Sequence, residues 1–114
     1  MTGQGTVAQL EKSSQGHYIL KGQLNFKSVP ELWEKHKVSL FADQVDVIDI
    51  DLSQLERSDS SGLALLVEWY REAEQDGKKI TFLNLPAQMY EIARVSGLNE
   101  ILPLSINEEI KNDN

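Results

Sequence analysis

The stretch from Val45 to Leu66 limits the possible folds more than any other part of the chain. Val45-Asp46-Val47-Ile48-Asp49-Ile50-Asp51-Leu52 is β-branched and partly alternating, which predicts a strand. The alternation changes phase between Val47 and Ile48, as expected of a central strand with both faces covered. A short polar loop, Ser53 to Ser58, follows. Asp59-Ser60-Ser61-Gly62 then opens the apolar helical pattern that begins Leu63-Ala64-Leu65-Leu66. This order puts a carboxylate and two hydroxyls at a helix N-terminus, where the first backbone N–H groups have no partners inside the helix. Such a terminus suits an anion, a phosphoserine or the polar groups of a docked partner.

Strand and helix periods alternate along the rest of the chain. Val7 to Leu10 and Tyr18 to Leu20 read as short strands around the turn-rich Ser13-Ser14-Gln15-Gly16, and Gly22 to Lys27 reads as a connection. Ser28-Val29-Pro30-Glu31 has the Ser-x-x-Glu spacing of a capping box. Val29, Leu32, Trp33, His36 and Leu40 recur at helical spacing, so a first helix is expected to reach about Leu40, with Trp33 in the core and His36 packed or at its rim. The second helix is expected from about Ser61 to Asp76, with Gly77 as a left-handed C-cap. Lys79 to Leu83 reads as a strand, Leu85-Pro86 starts a third helix that Gly97 stops near Ser96, and Ile101 to Ile106 adds a short last strand. Strands joined through helices of this length need crossover connections. The fold class is therefore α/β, a mostly parallel central sheet covered by helices. Residues 1–106 are expected to form a single domain and 107–114 a polar C-terminal tail.

Composition narrows the function. Eleven basic against 18 acidic residues give a formal charge of -7, which argues against sequence-independent nucleic-acid binding. There is no cysteine, hence no disulfide framework or thiol chemistry. Met1 to Gln9 lack the basic and apolar regions of a signal peptide, and no window approaches the ~20 apolar residues that span a bilayer. A cytoplasmic location is expected, with any membrane association arising through a partner. Catalysis fits poorly. His17 and His36 are tied to no nucleophile, and neither Gly-x-Ser-x-Gly nor a Gly-Lys-Ser/Thr phosphate loop is present. Asp46, Asp49 and Asp51 read as solvated or capping carboxylates, with Asp46 on the opposite strand face from the other two. No enzyme activity, metal or cofactor is expected.

Asp51-Leu52-Ser53, Asp59-Ser60-Ser61-Gly62-Leu63 opening a helix, Gly77, and Ser96-Gly97-Leu98 together resemble a STAS domain, the fold of the anti-sigma-factor antagonists. The likeness runs from the first strand to Leu104. Gly22-Gln23-Leu24, Leu32-Trp33-Glu34 and Gly62-Leu63-Ala64-Leu65-Leu66 look most like the MlaB-like branch, small cytoplasmic subunits of Mla-type ABC systems that move phospholipids between membranes. The resemblance implies a non-enzymatic subunit that binds the transporter's ATPase and supports outer-membrane lipid asymmetry. In that branch the hydroxyl just after the aspartate, here Ser60, matters for function. In the anti-sigma-factor antagonists the second serine, here Ser61, is phosphorylated by a partner serine kinase. Both serines are present, so the alternative of an antagonist bound to an anti-sigma factor and switched at Ser61 stays open.

Asp and Ser are also the commonest helix caps, each worth roughly 1 kcal/mol, and could be there for that reason alone. Two serines and an aspartate nevertheless offer more polar groups than one cap uses. On the second helix, Leu63, Leu66, Val67, Tyr70 and Ala73 form a stripe expected to pack on the sheet. Leu65 and Trp69 lie about 100° or more off its centre. They either extend the core edge or form an exposed aromatic anchor beside Ser60, of the kind that dominates interfaces. The expected partner-binding set is Asp59, Ser60, Ser61, Gly62, Leu65 and Trp69.

Overall fold

The computed structural model describes residues 8–36, 40, 42 and 45–106. The elements run β1 (Gln9–Ser14), β2 (His17–Leu24), α1 (Ser28–His36), β3 (Val47–Asp51), β4 (Leu55–Ser58), α2 (Ser60–Gln75), β5 (Lys79–Leu85), α3 (Ala87–Val95), a 3-10 turn at Leu98–Glu100, and β6 (Leu104–Ile106). The strands form one sheet in the order β1-β2-β3-β5-β6, with β4 also paired to β2. β1 and β2 make an antiparallel hairpin, and the other pairings are parallel. This is the expected α/β STAS architecture. Among the described residues no helix is long and apolar enough to cross a membrane. Residues 1–7, including Val7 of the first expected strand, and the tail at 107–114 lie outside the described residues.

Burial alternates along every central strand. Tyr18, Leu20 and Leu24 on β2, Ile48 and Ile50 on β3, and Ile80 and Phe82 on β5 are buried. They pack with Leu32 of α1, Leu66, Trp69 and Ala73 of α2, and Met89 and Ala93 of α3. The helices contact one another in the order α1-α2-α3, so they form a single layer on that face. The other face carries Ile19, Lys21, Asp49, Asp51, Thr81 and Leu83, all half-buried. The expectation that β3 is covered on both faces is therefore corrected. Val47, which suggested the phase change, is 49% exposed at the start of the strand.

Two local departures from the sequence reading shape the site. The stretch before Asp59, expected to be loop, contains β4. β3 pairs with the first half of β2 and β4 with the second half, after a turn closed by the Leu55 N–H to the Leu52 carbonyl at 3.2 Å. β2 accordingly runs on to Leu24. At α1 the cap is Asn25, not Ser28. Asn25 Oδ1 accepts the Lys27 and Ser28 N–H groups, each at 2.9 Å. The Ser28 hydroxyl turns back instead, donating to the Gln23 carbonyl at 2.8 Å and accepting the Asn25 N–H at 3.0 Å. α1 ends at His36; Leu40 is buried, and the expected helical residues 37–39 lie outside the described set. Gly77 and Gly97 take the left-handed φ values, 71° and 78°, expected where α2 and α3 stop.

Candidate functional site

The α2 N-terminus is held where β2 and β4 end. The Asp59 N–H donates to the Leu24 carbonyl at 3.0 Å, and the Ser58 hydroxyl donates to the Asp59 carbonyl at 3.0 Å. Asp59 is an extended N-cap whose carboxylate accepts the Ser61 N–H at 2.8 Å. The capping role read from the sequence thus falls on Asp59. Ser60 is exposed and Ser61 half-buried. Neither hydroxyl makes a hydrogen bond to another described residue, so both can be offered to a partner.

Gly62 is required by close approach. A Cβ there would meet the Ser58 hydroxyl, and would lie 3.0 Å from Leu24 Cδ1 and 3.2 Å from its Cβ. The first turn of α2 therefore rests directly on the end of β2. This contact also sets the rotation of the helix. With Gly62 facing the sheet, the buried stripe is centred on Gly62, Leu66, Trp69 and Ala73, not on Leu63, Val67 and Tyr70. Leu65 and Trp69, at 1% and 0% exposure, lie inside this stripe. Of the two readings of Leu65 and Trp69 the core one holds, and their place in an exposed partner-binding anchor is corrected: Trp69 is core, and only an edge of Leu65 reaches the surface.

That edge belongs to a shallow groove of about 250 Å³ between α1 and α2, lined by Val29, Pro30, Trp33, Ala64, Leu65 and Glu68. Ala64 and Glu68 follow Ser61 at i+3 and i+7, so the groove continues from Ser61 along one helix face. Trp33, expected in the core, is only half-buried and supplies the aromatic wall. On the other side of Asp59 is a polar depression of about 440 Å³, lined by Gln23, Leu24, Asn25, Arg57, Ser58, Asp59 and Gln88. No local pattern marks it, because its residues come from β2, β4, α3 and the caps of α1 and α2. Trp33 was legible in principle: α1 is short and fully buries Leu32 alone, so the flanking positions of its stripe are left at the rim.

Away from this site, His17 Nδ1 meets Asp49 Oδ2 at 3.2 Å on the half-buried sheet face. Asp51 Oδ1 accepts the Ser53 N–H at 2.9 Å and the Asn84 side-chain amide at 3.1 Å. Burial pushes the Asp51 carboxyl up, but these donors together with the Ser53 side chain outweigh it and its pKa lies below the usual value. These carboxylates are thus structural ties. Among the described residues no cluster of His, Asp and Glu could hold a metal ion.

The family model described as "Mlab, STAS domain" matches residues 8–104. The intermembrane phospholipid transport system binding protein MlaB of Haemophilus influenzae is 29% identical over 84 residues, which span 72% of this chain and 80% of that protein. A chain of the Acinetobacter MlaFEDB complex in its ATP-bound Vtrans2 conformation matches with a TM-score of 0.68 and 26% identity, over 77% of this chain and 92% of that one. The phosphorylated form of the Bacillus cell fate determinant SpoIIAA matches with a TM-score of 0.63 and 25% identity, over 91% and 96%. With β1 to β5, all three helices and the Asp59-Ser60-Ser61-Gly62 turn inside the matched span, the chain belongs to the MlaB-type STAS domain family.

Proposed function

We infer that this chain is a non-catalytic subunit of an Mla-type phospholipid transporter and docks on the transporter's cytoplasmic ATPase through the N-terminus of α2. The observation that carries this reading is the pair of hydroxyls, Ser60 and Ser61, that bond no other described residue and sit at the head of an apolar groove walled by Trp33. Apolar contact flanked by a few oriented polar groups is the usual anatomy of a protein interface. Membrane association then comes through the complex, and the protein contributes to lipid traffic by supporting assembly or activity of the ATPase. The names of the Haemophilus and Acinetobacter relatives support the transporter assignment.

The test is co-purification of the chain with the ATPase of the Mla-type transporter from the same cell. Ser60→Asp or Ser61→Asp adds a charge to a contact that docking desolvates, and each is expected to weaken binding at least about tenfold, about 1.4 kcal/mol. Ser61→Ala is expected to do less harm than Ser60→Ala. Stability should hold or rise slightly, because each new carboxylate sits at the positive end of the helix. Full binding by both Asp variants would reduce this terminus to a helix cap.

A second reading has one observation in its favour. Asp59 fixes the Ser61 backbone and leaves its hydroxyl without a bond to another described residue, as a phosphorylation site in an anti-sigma-factor antagonist requires, and the fold likeness extends to phosphorylated SpoIIAA. A phosphoryl group would bring roughly two negative charges, welcomed by the helix dipole but opposed by Asp59. Intact-mass measurement of the chain isolated from its own cell separates the readings. A stoichiometric phosphate on Ser61, with no ATPase bound, would favour the antagonist.

A further inference from the structure

We propose that the interface extends beyond the α2 N-terminus onto the β2–α1 turn, where Phe26 is an apolar anchor and Arg57 receives a carboxylate side chain of the ATPase. The inference rests on the docking reading above and names the chemistry of the partner surface.

Whereas Trp69, for which an exposed anchor is one of two sequence readings, is fully buried, Phe26 is 78% exposed. It is also rigidly placed. The turn carrying it is closed by the Asn25 side chain on the Lys27 and Ser28 N–H groups, by the Ser28 hydroxyl on the Gln23 carbonyl, and by the Val29 N–H on the Asn25 carbonyl at 3.0 Å. An exposed aromatic on so fixed a turn loses little freedom on binding, which favours an anchor role. Through the bond from the Asp59 N–H to the Leu24 carbonyl, the same turn is tied to the head of α2. It is therefore continuous with Ser60 and Ser61.

The polar depression separates Phe26's turn from β4 and the start of α3. Arg57 is its cation. Arg94 is bonded to Glu91 and Arg71 is paired with Glu68, but Arg57 holds no carboxylate among the described residues. The same depression is lined by Gln23, Asn25 and Gln88, which are neutral polar residues. One guanidinium amid amides matches a singly charged carboxylate. Asp59 in the same wall would oppose a dianionic phosphate. In a chain of charge -7, such a spot favours an acidic residue of the partner over the protein's own surface.

The experiment measures binding of the full chain to the ATPase by biolayer interferometry, with Phe26→Ser, Arg57→Gln, Arg57→Glu and Ser60→Asp compared. Lys79→Glu, at the opposite end of β5 from the site, is the charge-matched control. Thermal melts verify that each variant is folded. Phe26→Ser and Arg57→Glu are expected to weaken binding about tenfold or more and Arg57→Gln less, while Lys79→Glu leaves it unchanged. Reversing the charge of one acidic residue on the ATPase should restore binding to Arg57→Glu. If Ser60→Asp abolishes binding while the Phe26 and Arg57 variants bind normally, this inference is overturned and the docking reading stands. If no acidic reversal restores binding, or millimolar inorganic phosphate competes where acetate does not, the carboxylate assignment is wrong. No binding by the unaltered chain would overturn the docking reading itself.

Discussion

Trp69 shows how one residue's role turns on the rotation of its helix. Drawn through Leu63, Leu66, Val67, Tyr70 and Ala73, the stripe of α2 centres near Tyr70 and leaves Trp69 about 100° away. Counted with Gly62 as the point of closest approach, it centres on Trp69. A glycine contributes nothing to a hydrophobic pattern, so the packing contact that orients the helix is silent in a count of apolar residues. Trp69→Ala and Leu65→Ala are each expected to cost about 2–5 kcal/mol of stability, as truncations of a packed core do. Urea unfolding measures this. Midpoints unchanged in both variants would return these residues to the surface. Gly62→Ala should cost about 1–3 kcal/mol by overpacking. The Ser58 hydroxyl can swing away from the new methyl, but Leu24 Cβ is fixed to the strand.

Among the elements, those with a strong period were legible and those specified by hydrogen bonds were not. β3, β5, α2 and α3 fall where their patterns put them, and Gly77 and Gly97 stop the last two as expected. β4 escaped because Leu55-Glu56-Arg57-Ser58 is short and has no buried face; it is a strand only because β2 has unpaired backbone groups beyond Gly22. The cap of α1 escaped because Asn25 and Ser28 are equally good cap residues, and tertiary contact decides between them. Ser28 is drawn to the Gln23 carbonyl, which leaves Asn25 to receive the helix N–H groups. The site was half legible for the same reason. Its polar residues lie together in sequence, whereas the groove and depression beside them form only when α1, β4 and α3 come together. Asn25→Ala should therefore destabilise by about 1–2 kcal/mol, as loss of a cap does. It should also loosen Phe26. Hydrogen exchange at Lys27 and Ser28 reads both effects, and protection equal to that of the unaltered chain would refute the assignment.

For the whole molecule, acid is the informative perturbation. Two effects of opposite sign compete. Protonating carboxylates lowers the net negative charge and relieves self-repulsion, which stabilises the folded state. Against this stand two groups whose folded pKa values lie below their ordinary ones. His36 is lowered from 6.5 by burial, with help from the Lys35 charge. Asp51 is pushed up by burial but lowered overall from 3.8 by the Ser53 N–H, the Asn84 amide and the Ser53 side chain. For both, the unfolded chain binds protons more readily than the folded one, so stability rises with pH wherever they titrate. The His36 contribution is present above its ordinary value of 6.5 and lost as pH falls below it; the Asp51 contribution is lost below 3.8. Comparison of variants removes the shared charge effect. Relative to the unaltered chain, His36→Gln should flatten the stability curve just below neutrality, and Asp51→Asn should flatten it only in the more acidic range. Asp51→Asn should also be less stable at neutral pH, because the carboxylate oxygen joining Ser53 to Asn84 ties the β3–β4 turn to the end of β5, where Asn84 holds a φ of 57°. Urea denaturation across the pH range resolves the two steps. Parallel curves for all three proteins would mean that neither group is linked to folding, and that the acid response belongs to net charge alone.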